Sequence, residues 1–114
     1  MTRIYKILKA SEWARALASG RFEGSADDRA DGFIHFSTAG QIPETARRHF
    51  AGQTGLIMLA LRAEDLGSAL KWEPSRGGAL FPHFYGALAC DRVIEARAVA
   101  LAADGVPELS DLVP

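Results

Sequence analysis

The spacing of apolar residues near the start of the chain predicts a strand followed by a helix. Residues 4–8 are rich in β-branched and aromatic side chains, which is typical of a strand. Ser11 then fits a helix N-cap, and Gly20 fits the left-handed residue that commonly ends a helix. Between them the apolar side chains follow helical spacing: Trp13, Ala16 and Leu17.

A second strand is predicted over residues 33–38, where apolar and polar residues alternate. Ile34 and Phe36 are expected to point into the core. The residues expected on the opposite face are Phe33, His35 and Ser37. The preceding residues 21–31 are polar, contain glycine and show no periodicity, so they are predicted to form a loop. This loop is either a flap over a site or an inert solvated segment.

The spacing of Thr38 and Gln41 matches a capping box before a second helix. Pro43 is tolerated in the first turn of a helix but not deeper, so the true cap is expected a residue or two after Thr38. The predicted buried face of this helix contains Ile42, Ala46, His49 and Phe50.

The second half of the chain is predicted to be mostly strand. Residues 56–61 form a continuous apolar run, as expected for a strand covered on both faces. Residues 70–73 and 90–101 predict two further strands. Pro82 has no N–H to donate, so residues 80–86 are predicted to form an edge strand or an extended loop.

Together these elements predict an α+β fold with a mixed or antiparallel core of five or six short strands and two main helices. At 114 residues the chain fits a single compact domain, 1–114. Its core is expected over about residues 3–101, and residues 102–114 are expected to be a tail that packs on the surface or frays.

Composition and charge exclude several functional classes. The net charge is −1, so no basic excess points to nucleic acid or to an anionic membrane surface. The longest apolar run has six residues, 56–61, which is far too short to span a bilayer. With one cysteine and no apolar N-terminal run of the kind found in signal peptides, the chain is predicted to be cytoplasmic.

Candidate functional groups fall in three short clusters, each beside aromatic residues. Aromatic walls with a few polar groups are typical of a small-molecule pocket, and we expect the clusters to converge on one. The alternative is that the aromatic rings build the core and that each histidine donates to a backbone carbonyl. The three clusters are His35 with Ser37, Trp72 with Glu73, and His83 with Tyr85.

Glu73 is the carboxylate of most interest. In an apolar wall its pKa would be raised, which suits an acid or base; alternatively it is a surface residue paired with Lys71 or Arg76. The set His35, Glu73 and His83 resembles a zinc ligand set in composition, but its spacing matches no compact metal motif, so no metal is predicted.

Three segments in order, DGFIHFSTxxQ, WEP and FPHFYG, resemble a family of small bacterial proteins known as domain of unknown function 952. The resemblance covers roughly residues 3–100. It implies a fold similar to that of ADP-ribosyltransferases, which hold NAD in a cleft between two small sheets. It would place Tyr5 or Lys6 at the first-strand position of the site, His35 and Ser37 on the next strand, and Glu73 as the late acid.

The sequence leaves three functions open. The first is an enzyme acting on NAD or an ADP-ribose-type ligand, with the catalytic residues His35, Glu73 and His83. Its ligand-binding residues would be Tyr5, Lys6, Ser37, Trp72, Phe81 and Tyr85. The second is a non-catalytic module that senses a metabolite in the same pocket. The third is a protein–protein interaction domain in which residues 80–86 form an exposed apolar surface. The oligomeric state stays open.

Overall fold

The computed structural model describes residues 2–113, and its strands are all short. Each helix below follows a strand or a capped turn. The strands are β1 (Arg3–Lys9), β2 (Arg21–Phe22), β3 (Ile34–His35), β4 (Ser37–Thr38), β5 (Leu56–Arg62), β6 (Leu70–Pro74), β7 (Leu80–Phe84), β8 (Leu88–Ala89) and β9 (Val93–Val99). The α-helices are α1 (Ala10–Ser19), α2 (Ala26–Asp31) and α3 (Ile42–His49).

The strands form three sheets in which every pairing is antiparallel. The largest has the order β4-β1-β5-β9, the second has the order β3-β7-β6, and β2 pairs with β8. The predicted α+β class is thus confirmed. The described part of the chain contains nine strands instead of five or six, because several pairings involve only two residues on each side and have no periodic signal in the sequence.

The four-stranded sheet is covered on both faces, which explains the continuous apolar run of β5. On one face Leu59 and Leu61 pack with Phe36 and residues of α1. On the other face Met58 packs with residues of α3. Since burial of apolar surface is the main favourable term in folding, these two layers hold the domain together.

The two helices predicted from the sequence are present with small differences at their starts. α1 begins at Ala10, because the backbone N–H of Lys9 donates to Glu12 and Lys9 takes the capping position predicted for Ser11. Gly20 ends α1 in the left-handed conformation, as predicted. Thr38 and Gln41 exchange the two hydrogen bonds of the capping pair one turn before α3 begins. In residues 2–113 no helix is long and apolar enough to cross a membrane.

The prediction of a loop over residues 21–31 is wrong, because this segment contains β2 and α2. The Ser25 hydroxyl accepts from the Asp28 N–H at 3.3 Å, and the Asp28 carboxylate accepts from the Ser25 N–H at 2.9 Å. This reciprocal capping satisfies backbone donors that a six-residue helix otherwise leaves without partners. The helix is thus set by polar capping, which a search for apolar periodicity does not detect.

The predicted strand over residues 33–38 is divided between two sheets. Ile34 and Phe36 are both buried, as predicted, but β3 pairs with β7 while β4 pairs with β1. The chain crosses between the sheets at Phe36, whose N–H donates to the Pro82 carbonyl at 2.9 Å. Residues before and after this crossing consequently line the junction of the two sheets.

The prediction that Pro82 lies on an edge strand or in a loop is wrong, because β7 is the central strand of its sheet. The crossing at Phe36 explains how this strand accommodates a proline. The Pro82 carbonyl points toward Phe36, so its missing N–H would point to the same side, where β3 has already ended. The sheet therefore loses no ladder hydrogen bond between β6 and β7.

Residues beyond 101 pack against the core. Leu101 and Pro107 form an isolated antiparallel bridge, and the Glu108 N–H donates to the Ala100 carbonyl. Leu109 is 7% exposed and belongs to the apolar layer on the α3 side of the large sheet. Of the two alternatives for the tail, the packed one is therefore observed.

We predict that Leu109→Ala lowers the free energy of unfolding by about 2–5 kcal/mol, because it leaves a cavity in a buried layer. Leu17→Ala is the matched control, since Leu17 is 56% exposed on α1, and we expect a change within about 0.5 kcal/mol. Urea denaturation of the two variants gives both values. Equal, small effects would show that the tail contributes nothing to the core.

Candidate functional site

An open cleft of about 1040 Å³ lies where β1, α2, α3 and β7 meet. It is the place where the crossing between the two larger sheets brings polar side chains together. Its lining includes His35, Ser37, Thr45, Arg76, Phe81 and His83. Several of the predicted site residues therefore border one space.

Asp28 is the buried centre of a polar network beside this cleft, with 2% of its surface exposed. The Lys6 ammonium lies 2.9 Å from Asp28 Oδ2 and also donates to the His35 carbonyl at 3.0 Å. His35 approaches Asp28 Oδ1 with its ring Nδ1 at 2.6 Å and with its backbone N–H at 3.2 Å. The network therefore joins β1, α2 and β3.

The Asp28 carboxylate is ionised because its surroundings stabilise the charge. Burial by itself raises the pKa of Asp28, but three opposing contributions outweigh it. These are the hydrogen bond from His35, the charge and hydrogen bond of Lys6, and the N–H of Ser25. The net effect holds the pKa of Asp28 far below its ordinary value of 3.8.

Both ring nitrogens of His35 face carboxylates. Nδ1 faces Asp28, and Nε2 lies 2.9 Å from an Asp31 oxygen at the end of α2. Because a carboxylate only accepts hydrogen bonds, the hydrogen bond with Asp28 requires a proton on Nδ1. This arrangement suits a positioning role for His35 better than the predicted catalytic role, which stays a prediction.

His83 is the second histidine of the cleft and is 4% exposed. Its Nδ1 lies 2.8 Å from Glu73 Oε1, and the Tyr85 hydroxyl donates to the same oxygen at 2.7 Å. Glu73 and His83 meet because β6 and β7 are adjacent antiparallel strands whose residues Glu73 and Phe81 are paired. The predicted convergence of Glu73, His83 and Tyr85 is thus present in the fold.

The predicted rise in the pKa of Glu73 is wrong in direction. Hydrogen bonds from Tyr85 and His83 lower the pKa of Glu73, and they outweigh the effect of burial. The hydrogen bond that Tyr85 donates to Glu73 raises the pKa of Tyr85. Glu73 forms its ion pair with His83, instead of with Lys71 or Arg76 as the surface alternative had it. Glu73 is therefore an ionised acceptor that fixes a proton on Nδ1 of His83.

An aromatic ring connects the two histidines. Phe33 stacks on His83 with ring centroids 4.0 Å apart and approaches His35 at 4.6 Å. The rings of His35 and His83 are 5.6 Å apart in an edge-on arrangement. Phe33 thus fixes the orientation of the two imidazoles relative to one another.

Three of the predicted ligand-binding side chains are committed to the fold. Lys6 is held by Asp28, and the Ser37 hydroxyl is 3.0 Å from the Thr45 hydroxyl. Tyr5 borders the cleft but is only 1% exposed, in the apolar layer on the α3 side of the large sheet. The ammonium of Lys6 and the hydroxyl of Ser37 are therefore already engaged within the protein.

Trp72 does not join the site, contrary to the prediction. Its cross-strand partner is Pro82, whereas Glu73 is paired with Phe81 and Lys71 with His83. Since successive side chains point to opposite faces of a sheet, Trp72 lies on the face opposite the histidine.

The apolar interaction surface predicted over residues 80–86 is not exposed at its main apolar residues, because Phe81 and Phe84 are buried.

The most important site residues that were not predicted from the sequence are Asp28, Thr45 and Arg76. For Asp28 a signal was present, since Ser25-x-x-Asp28 has capping-box spacing and announces a helix start. No local pattern identifies Arg76, which reaches the cleft from the turn between β6 and β7. Among residues 2–113, no group of three or more histidine, cysteine or acidic side chains is placed to hold a metal ion.

We predict that Asp28→Asn lowers the free energy of unfolding by about 3–5 kcal/mol at neutral pH, because it leaves the Lys6 ammonium buried without its counter-charge. The folded-state pKa of Asp28 is depressed, so the stabilisation is complete above pH 4 and is lost as the pH falls. The difference between wild type and variant should therefore shrink below about pH 4. Denaturation curves at pH 7 and at acidic pH measure it.

Asp27→Asn is the matched control for this prediction. Asp27 is exposed in the first turn of the same helix, so its loss should cost less than about 1 kcal/mol. Similar losses in both variants, or a difference that does not change with pH, would contradict the assigned role of Asp28.

Comparison with known proteins places the chain in a family. Among curated proteins, none matches the chain. The crystal structure of protein CC0527 from Caulobacter crescentus is 55% identical, with a TM-score of 0.96 over 98% of both chains. The solution structure of CC0527 is 57% identical, with a TM-score of 0.88 over 97% of this chain and 96% of that one. Since the family model described as protein of unknown function (DUF952) matches residues 7–96, the chain belongs to the DUF952 family.

Proposed function

We propose that the cleft binds a small nucleotide-type ligand such as NAD or ADP-ribose, and that His83 transfers a proton to or from it. The observation that carries this proposal is the contact between His83 Nδ1 and Glu73 at 2.8 Å. Within residues 2–113 the other ring nitrogen, Nε2, makes no hydrogen bond. No buried side-chain nitrogen there lacks a partner, so Nε2 keeps some contact with solvent, and the ring borders the cleft. A buried imidazole with one nitrogen fixed and the other free is the arrangement of a general acid or base.

In the pair of Glu73 and His83, the carboxylate determines which ring nitrogen carries the proton. Ionised Glu73 accepts the proton on Nδ1, so the lone pair of a neutral ring lies on Nε2. When Nε2 takes a proton from the ligand, Glu73 stabilises the resulting positive charge. The Tyr85 hydroxyl holds the carboxylate in place. Glu73 and Tyr85 are thus positioning residues, and His83 is the group that would touch the ligand.

His35 and its carboxylates would form the rigid wall of the same site. Asp28 and Asp31 flank the ring, and Phe33 packs against both His35 and His83. Preorganised groups of this kind reduce the cost of orienting a ligand. The proposal that the ligand is a nucleotide rests on the resemblance to the ADP-ribosyltransferase-like fold, which is an argument by analogy.

A non-catalytic sensor of the same ligand class is the second candidate. The observation in its favour is that Lys6 and His35 are both occupied by carboxylates. With these groups occupied, His83 is the main side chain left for proton transfer. A module that only binds its ligand needs no further group for proton transfer.

We predict that the wild-type protein converts NAD or ADP-ribose, and that His83→Gln lowers turnover by about 100-fold or more because the proton-transfer group is lost. Product formation followed by NMR measures this. His49→Gln removes another imidazole that borders the cleft but that lacks a carboxylate behind its ring. We expect a much smaller effect from it.

The two candidate functions give different outcomes in this experiment. Binding of ADP-ribose with no conversion by the wild type would favour the sensor. Absence of any binding of either nucleotide would contradict both. Equal turnover of wild type and His83→Gln would remove His83 from the mechanism.

A further inference from the structure

Arg76 is held in a fixed orientation at the edge of the cleft. Its guanidinium carbon lies 5.0 Å from the centre of the Phe81 ring. Its Nη1 donates to the Thr45 hydroxyl at 3.3 Å and its Nη2 donates weakly to the Gln41 carbonyl at 3.5 Å. A guanidinium stacked on an aromatic ring and bonded at one edge presents its remaining edge in a defined direction.

The charge of Arg76 has no carboxylate partner in the described part of the chain. Three arginines within residues 2–113 are partly buried: Arg3, Arg62 and Arg76. Arg3 pairs with Glu95 and Arg62 with Asp65, but no acidic oxygen lies within 4 Å of Arg76. Its two described hydrogen bonds use two of the five N–H donors of a guanidinium. The other donors and the positive charge are left for a ligand.

The surroundings of Arg76 fit a phosphate group. The planar fork of an arginine matches two phosphate oxygens, and the resulting charge-assisted hydrogen bonds are stronger than neutral ones. The Thr45 hydroxyl accepts from Arg76 and donates to the Gln41 carbonyl at 3.3 Å, so it orients the guanidinium. A partly buried cation without a counter-charge is costly, and a bound anion would offset that cost.

We propose that Arg76, oriented by Thr45, forms the phosphate-binding end of the cleft. The inference rests on the proposed function, since it names the part of the ligand that would lie farthest from His83. Phe81 and His83 lie two residues apart on β7, and their side chains point to the same face, about 7 Å apart. A phosphate at Arg76 would therefore place the next part of the ligand beside Phe81 and near His83.

Calorimetric titration of the whole protein with inorganic pyrophosphate tests the phosphate site directly. We expect Arg76→Gln to weaken binding at least about tenfold, the loss expected for one charge-assisted contact. Arg15→Gln is the matched control with the same change in charge, because Arg15 is exposed on α1 and does not border the cleft. Arg76→Lys should fall between, since it keeps the charge and loses the fork.

Two results would overturn the proposal: no binding of pyrophosphate to the wild type, or equal affinity in Arg76→Gln and Arg15→Gln. A parallel titration with ADP-ribose, read at the imidazole resonances of His83, separates this inference from the proposed function. If ADP-ribose shifts His83 with the same affinity in wild type and Arg76→Gln, the phosphate site fails and the nucleotide cleft stands. If pyrophosphate binding depends on Arg76 but ADP-ribose never affects His83, the phosphate site stands and the proposed function fails.

Discussion

The buried ion pair between Lys6 and Asp28 is the interaction on which the site depends. It joins the first strand of the large sheet to α2, and through Asp28 it also holds the backbone and ring of His35. Neither member can be removed alone without leaving a buried charge, whereas an apolar pair of similar size could be as stable. The pair therefore contributes less to net stability than to the position of α2. It fixes a short helix, with few apolar residues of its own, against the junction of two sheets.

From this placement follows a division of roles between two histidines only 5.6 Å apart. His35 has carboxylates near both nitrogens, while His83 has Glu73 at Nδ1 and, within the described residues, no hydrogen bond at Nε2. Identical side chains thus differ in what they can do because their acidic neighbours differ. Phe33 packs against both rings and helps to hold their relative orientation. Beside Phe81 in the same cleft, Arg76 supplies a positive charge that has no acidic oxygen within 4 Å in the described part of the chain.

Features that depend on neighbouring residues could be predicted from the sequence, whereas contacts between residues far apart in the chain could not. Gly20 was predicted to end α1 because a left-handed residue is needed there and glycine adopts that conformation at little cost. The burial of Asp28 depends on Lys6, 22 residues away, and the central position of Pro82 depends on where β3 ends. The contact of Glu73 with His83 depends on hairpin register, so its pKa was predicted in the wrong direction. The clusters of polar and aromatic residues located the cleft, but the sequence did not assign roles within it.

The roles of the two histidines depend on the carboxylate of Glu73, which fixes the proton of His83 on Nδ1 and leaves Nε2 free. Nitrogen-15 NMR of the imidazole rings measures this most directly, because the two nitrogens have different shifts when only one carries a proton. At a pH where the ring is neutral, the account predicts a protonated Nδ1 and a bare Nε2 for His83, and a loss of this preference in Glu73→Ala. A proton on Nε2 in the wild type, or the same proton distribution in wild type and variant, would contradict it.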